Sequence, residues 1–427
     1  MDRSIESCLN DWKEGALRYP LLLRGARQVG KTYVVEKFGA AKFDAFEKVN
    51  FEAQPEAIAC FESLDPYEIL GRLETWTKRP IRCGRTLLFL DEIQACPQAI
   101  AALRYFKEKM PELHVIGAGS LLEFALIQGK FSFPVGRVQF LHMRPFSFLE
   151  FLKGLGDRVD GLSHEEAMQR VKDYFLIGGM PAAVQHFKES RSFLECSRIQ
   201  EILLSTYRAD FGKYATEAEQ RYLRIAFDGI PSLVGQQLKY SKIDNQIKSR
   251  ELKSAIEQLE WAGLVHPIYA SSASGIPLKA QVKQNKCKPL FLDIGLLQRS
   301  LQVDPELIRT KNLLEINAGA LAEQFVGQEL LSYSDAFREE KLFFWEREKS
   351  GSDAEVDYVL AIDSAIVPLE VKAGKSGHLK SLRQFMEEKK SPLGICLSPN
   401  PLSYENKILH VPFYRIADIP SLVKERI

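Results

Sequence analysis

"YPLLLRGARQVGKTYVVEKFG", Tyr19 to Gly39, changes character twice along its length. Leu21, Leu22 and Leu23 form a short apolar run of the kind a buried strand needs. Gly25 to Thr32 then spell Gly-x-x-x-x-Gly-Lys-Thr, and "TYVVEKF" starts a helix. Strand, loop and helix in that order give the pattern its physical meaning. Gly25 and Gly30 let the loop turn so that its N–H groups point inward. The backbone of Ala26, Arg27, Gln28 and Val29, with the helix N-terminus, then holds phosphate oxygens. Lys31 reaches the β- and γ-phosphates of a nucleotide, and the Thr32 hydroxyl suits Mg²⁺. The Arg27 side chain either contacts nucleotide or points outward.

A second segment fits the first. "TLLFLDEIQ" reads as a buried strand, Leu87 to Leu90, ending in Asp91 and Glu92. A parallel strand beside the first brings Asp91 to the Mg²⁺, and leaves Glu92 to polarise an attacking water. "HVIGAGSLL" offers a further strand with Ser120 just past its end. Ser120 there either senses the γ-phosphate and orients the water, or caps the helix that begins with "LLEFAL".

The chain has 427 residues, length for roughly two to four domains. Its composition, 45% hydrophobic and 26% charged, is that of a soluble globular protein. A net charge of +1 leaves any attraction to nucleic acid to local patches. Seven scattered cysteines with no Cys-x-x-Cys pair argue against a disulfide framework or a zinc ribbon, and fit a reducing cytoplasm. The opening "MDRSIESCLNDWKEG" carries acids and no apolar core of a signal peptide. No apolar run approaches the roughly 18 residues of a membrane helix.

Residues 216–300 predict a short helix, a turn, a longer helix, a strand, a Ser/Gly/Pro-containing loop and a second strand. Ile247, Leu252, Ile256 and Leu259 recur at the spacing of a core-facing stripe. Helix–helix–strand–loop–strand is the pattern of a winged helix. Lys239 to Lys288 hold nine basic and four acidic residues, a local charge of +5. The wing, Ser271 to Lys288, holds four lysines and no acid. Such a patch gains affinity for DNA from counterion release, through backbone contacts more than base reading. The alternative is a solvated basic face, or a winged helix used for protein contact.

Near the C-terminus, "AEVDYVLAIDSAIVPLEVKAG" reads as a hairpin about Asp363-Ser364. Asp357 then lies across from Glu370, Glu355 across from Lys372, and Val356 across from Val371 on the other face. Pro368 donates no ladder bond, so a bulge there would shift this register. Opposed carboxylates call for a cation, and Mg²⁺ or Mn²⁺ suits them. Lys372 beside the metal would position a water or steady developing phosphate charge.

"LLLRGARQVGKT", "LLFLDEIQ", "GAGSLLEF", "FPVGRVQFLHMRPFSFLEF", "YFLIGGMP", "AEVDYVL" and "PLEVKAG" together carry a resemblance over nearly the whole chain. The chain resembles the AAA+-type P-loop ATPases of bacteria and archaea that bear an appended C-terminal nuclease-like domain. The resemblance implies an α/β fold in four parts. These are a P-loop NTPase (AAA+-like) core over 1–155, a helical lid over 156–215, a winged-helix-like domain over 216–305, and a restriction-endonuclease-like PD-(D/E)XK domain over 306–427. It implies ATP and Mg²⁺ as ligands, and makes Arg137 in "PVGRV" a candidate arginine finger or phosphate sensor. Arg137 acting across a subunit boundary would make the chain a homo-oligomer. The PD-(D/E)XK core also takes an acid from a preceding helix, which matches Glu323 in "NAGALAEQFVGQELL"; Gln384 is an auxiliary contact, and Asp353 a lesser ligand. The expected protein is therefore a cytoplasmic ATPase acting on DNA. Glu92, Arg137 and Lys372 are its catalytic residues, and Glu323, Asp357 and Glu370 hold a second metal for nuclease work. The alternative is an ATP-driven switch whose C-terminal domain binds a partner without cutting.

Overall fold

Leu21, Leu22 and Leu23 are fully excluded from solvent in strand β1 (Leu21–Arg24) of the computed structural model. The structure describes residues 1–16, 18–128, 134–213, 215–303, 318–348, 354–374 and 378–427. The chain divides into two compact units, Met1–Arg144 with Trp261–Gly263 and Asp335–Glu339, and the remainder.

In the first unit β1 joins β2 (Ala45–Asn50), β3 (Thr86–Asp91), β4 (His114–Ala118) and β5 (Gln139–His142). The order is β2-β3-β4-β1-β5, and every pairing is parallel. Every residue of β3 and β4 is buried, which is why "TLLFLD" lacks the alternation of a half-exposed strand. Helices Pro66–Thr77 and Pro97–Lys109 supply Ile69, Leu73, Ile100, Leu103 and Phe106 to a core with Leu88, Leu90 and Val115. One expectation is corrected here. β3 does not lie beside β1, because β4 pairs with both. Asp91 still sits at the carboxyl edge where the chain order reverses around β1, the place where open parallel sheets bind ligands.

The second unit comprises Pro145–Glu260, Leu264–Ser334 and Glu340–Ile427. It opens with helices Phe148–Leu155, His164–Ile177, Pro181–Ser190 and Phe193–Asp210. Helices Glu217–Gly229, Tyr240–Ile243 and Ser249–Trp261 follow, then an antiparallel pair, β6 (Val265–Ser271) and β7 (Val282–Phe291). The expected order of helices and strands is therefore present. The hairpin does not stand apart, however. β6 pairs in parallel with β8 (Leu342–Glu346), and β8 pairs with β9 (Glu355–Val356), so one sheet crosses the boundary expected at 305/306. Ala273 and Leu278, in the loop between β6 and β7, are buried in a cluster with Phe343, Trp345 and Phe385. A second sheet, β10 (Tyr358–Ile362), β11 (Ala365–Val371), β12 (Gly394–Ser398), β13 (Ser403–Glu405) and β14 (Ile408–Pro412), is ordered β10-β11-β12-β14-β13.

"YFLIGGMP" has a packing explanation within this unit. The Gly179 N–H donates to Asp293 Oδ2 at 2.6 Å, and Asp293 also caps helix Ile294–Ser300 through Leu296 N at 3.1 Å. A Cβ on Gly178 (φ +71°) would lie 2.1 Å from Asp293 Oδ1, and one on Gly179 2.1 Å from the Phe146 carbonyl oxygen. Tyr174 donates to that same carbonyl at 2.5 Å, and Glu329 of helix Ala318–Ser332 accepts from Phe148 N at 2.9 Å. Burial pushes the Glu329 carboxyl up to about 8. Phe325 and Phe413 pack on Phe175, so the segment expected as a lid shares its core with residues far later in the chain.

Candidate functional sites

The nucleotide loop follows directly from β1. Gly25 (φ +145°) passes so close to strand-end Met143 that a Cβ would lie 2.2 Å from its carbonyl oxygen. Gly30 (φ +96°) starts helix Lys31–Lys42 from the left-handed region, where glycine is least strained. The Lys31 ammonium is buried and donates to the Gly25 and Ala26 carbonyls at 2.9 and 2.8 Å. Burial lowers its pKa to about 8, against the opposing pull of Glu92 and Asp91. A buried ammonium hydrogen-bonded to loop carbonyls gains from an anion in direct contact, and phosphate supplies one.

Thr32 donates to Asp91 Oδ1 at 3.2 Å, so the two expected Mg²⁺ partners meet although their strands are not neighbours. Asp91 is buried and also accepts from Asn50 Nδ2 at 3.1 Å and pairs with Lys48 at 3.2 Å. A hydroxyl and a carboxylate converging beside a phosphate cradle are the oxygen donors that Mg²⁺ prefers. Glu92 adopts a left-handed backbone (φ +49°), and its carboxylate accepts from Gln94 Nε2 at 2.7 Å. Ser120 is buried and accepts from Arg27 Nε at 3.0 Å; Arg27 also lies 3.6 Å from Glu52. The Arg27 side chain thus turns toward its own protein, and the Ser120 hydroxyl toward the loop. Sequence reasoning missed Lys48, Asn50 and Gln94. Asn50 closes β2 at the level of Asp91, a signal readable only once the two strands are known to pair.

Arg137 is elsewhere. It precedes β5, whose pairing with β1 puts it at the amino edge of the sheet, whereas the loop leaves the carboxyl edge. Its guanidinium pairs with Glu108, near the end of helix Pro97–Lys109, at 3.0 Å. A finger or sensor role toward the loop of its own chain is therefore corrected.

The C-terminal cluster departs further from expectation. The hairpin register holds from Tyr358↔Leu369 to Ile362↔Ala365, and Pro368 faces Val359 without a bulge. The ladder then ends. Asp357 Oδ2 accepts from Val371 N at 2.8 Å, and Glu355 leaves to pair with Glu346 in the other sheet. Glu355 therefore does not face Lys372 as expected. Lys372 instead donates to Glu370 Oε1 at 2.6 Å, while Glu370 Oε2 is buried with no hydrogen-bond partner among the described residues. Glu323 projects from helix Ala318–Ser332 into the same cluster, and burial followed by Asp357 pushes its carboxyl up to about 8. The Gln384 amide oxygen accepts from the Arg347 guanidinium, from Nη1 at 2.6 Å. Asp353 lies outside the described residues.

Lys288, read from sequence as part of a basic wing, is 1% exposed. Its ammonium pairs with Glu355 and lies 3.5 Å from Glu323 Oε2 and 4.0 Å from Asp357 Oδ1. Burial opposes its charge, but Glu323, Glu355 and Asp357 outweigh that and raise its pKa. Lys283 pairs with Glu346 and Glu348, and Lys286 with Glu346. Three of the four wing lysines thus meet acids that lie later in the chain. Among the described residues no group of three or more His, Cys, Asp or Glu side chains is arranged to hold one metal ion. As placed, the cluster does not fit the metal shared by Asp357 and Glu370, since a lysine already neutralises part of it.

Residues 17–152 match the family model described as an AAA domain. Residues 168–307 and 318–414 match two models each described as a domain of unknown function, DUF8612 and DUF4143. No curated protein matches the chain. Among solved structures, the chain is similar to the Walker-type ATPase PABY2304 of Pyrococcus abyssi at 17% identity and a TM-score of 0.46, covering 70% of this chain and 95% of that one. It is similar to the Aeropyrum pernix ORC1 protein in complex with DNA at 15% identity and a TM-score of 0.31, covering 72% and 92%. It is similar to the Thermotoga maritima RuvB Holliday junction branch migration motor at 15% identity and a TM-score of 0.30, covering 61% and 86%. The match assigns residues 17–152 to the family described as an AAA domain, and the parallel sheet with its glycine-flanked loop is the architecture that region adopts. Among the described residues no helix is long and apolar enough to cross a membrane.

Proposed function

We propose that the chain is an ATP-hydrolysing switch that engages DNA, with its C-terminal module serving as a binding element. The convergence of Lys31, Thr32 and Asp91 at one loop carries the ATP part of this reading. On nucleotide binding Lys31 exchanges the Gly25 and Ala26 carbonyls for β- and γ-phosphate oxygens. Mg²⁺ arriving with ATP neutralises phosphate charge, and Thr32 and Asp91 are the residues that would hold it. Glu92 orients a water and takes its proton as the oxygen bonds to the γ-phosphorus. The bond from that phosphorus to the bridging oxygen breaks, and ADP leaves with the electron pair. Gln94 steadies the Glu92 carboxylate, and Arg27 keeps the Ser120 hydroxyl at the loop. Arg137 serves the loop of a second copy. Turnover per chain then rises with protein concentration, and a flat dependence that Arg137→Ala leaves unchanged removes this role.

The DNA part rests on the helices and not on the wing. Lys239, Lys242, Lys248, Arg250 and Lys253 are exposed on and around helices Tyr240–Ile243 and Ser249–Trp261. Lys253 pairs with Glu257 at 3.8 Å, an exposed contact of the weak class. Each phosphate contact adds about 0.9 to the slope of log affinity against log salt. The double variant Arg250→Ala/Lys253→Ala is expected to lower that slope by about 1.8 for duplex DNA. A slope equal to that of the unaltered protein, from fluorescence anisotropy across a salt series, sinks the helix-face assignment. Cleavage is the competing reading, favoured by the partnerless Glu370 Oε2. The same labelled DNA left intact with Mg²⁺ or Mn²⁺ present removes it.

A further inference from the structure

The carboxylate cluster holds a cation of its own making. Glu323 comes from a helix, Glu355 from β9, Asp357 from the junction between two sheets, and Glu370 from β11. Lys288 reaches them from β7, and its ammonium lies 5.2 Å from the centroid of the Phe344 ring. An ammonium this deeply buried persists only when its charge is compensated. Here three carboxylates compensate it: Glu355 in direct contact, Glu323 at 3.5 Å and Asp357 at 4.0 Å. Glu370 is paired with Lys372 through one oxygen, and its other oxygen is buried without a donor among the described residues. Four acids thus face two ammonium groups. Among the described residues the acids outnumber the ammonium groups, burial holds the Glu323 and Glu370 carboxyls toward their neutral forms, and one oxygen of Glu370 is left without a donor.

We propose that Lys288 is an internal cation that closes this cluster, and that a divalent ion of the Mg²⁺ or Mn²⁺ class enters only where the Lys288 ammonium is absent or withdrawn. Lys288 and the ion compete for the same carboxylate oxygens, because both need Glu323 and Asp357. With the ammonium removed, the freed oxygens of Glu323 and Asp357 join the partnerless oxygen of Glu370. Those three side chains are hard oxygen donors of the type such ions take. Lys372 stays on the far oxygen of Glu370 and does not compete. This inference goes beyond the ATP-switch reading and stands or falls separately, since it concerns residues remote in sequence from the nucleotide loop.

The test measures Mn²⁺ binding to the full-length chain by electron paramagnetic resonance, without nucleotide. Lys288→Met keeps the length of the side chain and removes the charge. It is expected to gain one Mn²⁺ per chain, bound at least about tenfold more tightly than any Mn²⁺ on the unaltered protein, a difference of about 1.4 kcal/mol. Lys288→Met/Glu370→Gln is expected to lose that gain. Equal Mn²⁺ binding by the unaltered protein and by folded Lys288→Met overturns the proposal, as does a gain that survives Glu370→Gln. If Lys288→Met does not fold, amine labelling of the unaltered protein decides. Competition requires that labelling of Lys288, read by peptide mass, rise as Mn²⁺ is raised into the millimolar range. Labelling that stays flat overturns the proposal.

Discussion

Glu92→Gln is expected to lower ATP turnover by about 10²–10⁴-fold, the range a general base contributes, while nucleotide still binds. The substitution preserves size and removes only the ability to accept the water proton. The residues that would grip phosphate, the loop backbone and Lys31 at the first position of helix Lys31–Lys42, are untouched. Lys31→Ala is the contrasting case. It removes a charge-assisted contact of roughly 1.5–3 kcal/mol from ground state and transition state alike, so affinity falls together with turnover. Turnover by phosphate release and affinity with a fluorescent ATP analogue separate the two variants. Glu92→Gln turning over within twofold of the unaltered protein would falsify the assignment of the base.

The second large effect is on stability. Gly179→Ala puts a methyl 2.1 Å from the Phe146 carbonyl oxygen and 2.9 Å from Phe146 N, both backbone atoms that no rotamer change moves aside. Relief requires separating Gly179 from Phe146 and stretching the Gly179 bond to buried Asp293, which also caps a helix. A cost of roughly 4 kcal/mol or more is expected, in the range reserved for buried backbone conflict and network loss. Gly71→Ala is the control. Its added methyl meets nothing within 4 Å in helix Pro66–Thr77, so it is expected to stabilise by roughly 0.5–1 kcal/mol. Urea unfolding of both variants checks this. A Gly179→Ala loss below about 1 kcal/mol would show that the Gly-Gly turn has room that the packing does not suggest.

The nucleotide loop was legible because its parts are consecutive. Two glycines, a lysine and a threonine at fixed spacing between a buried strand and a helix make one local object, and Gly25 and Gly30 do adopt left-handed φ angles. The hairpin register was legible for the same reason, since a two-residue turn at Asp363-Ser364 dictates which residues face each other up to Tyr358↔Leu369. Register arithmetic failed one residue further on. The strand changes sheets at Asp357, and only competition between two ladders for the same backbone settles where that happens. The "YFLIGGMP" glycines were visible as a motif, but their reason, Asp293 and Phe146, lies outside the motif.

Charge was the least legible property. The excess of lysines from Lys239 to Lys288 exists only against acids in the same segment, since Lys283, Lys286 and Lys288 are neutralised by Glu346, Glu348 and Glu355. Asp91 was placed correctly beside Thr32 by a wrong route, since β4 separates the strands concerned. By itself the sequence determined the glycine-flanked loop between β1 and its helix, the two acids at the end of β3 and the short hairpin, because turn geometry and strand alternation act between near neighbours. Only the tertiary structure decided which sheet each later strand joined, that Arg137 faces away from its own loop, and that Lys288 fills the carboxylate cluster. Those outcomes depend on burial of charge and on long-range strand pairing, whose free energies are set by partners that no local pattern names.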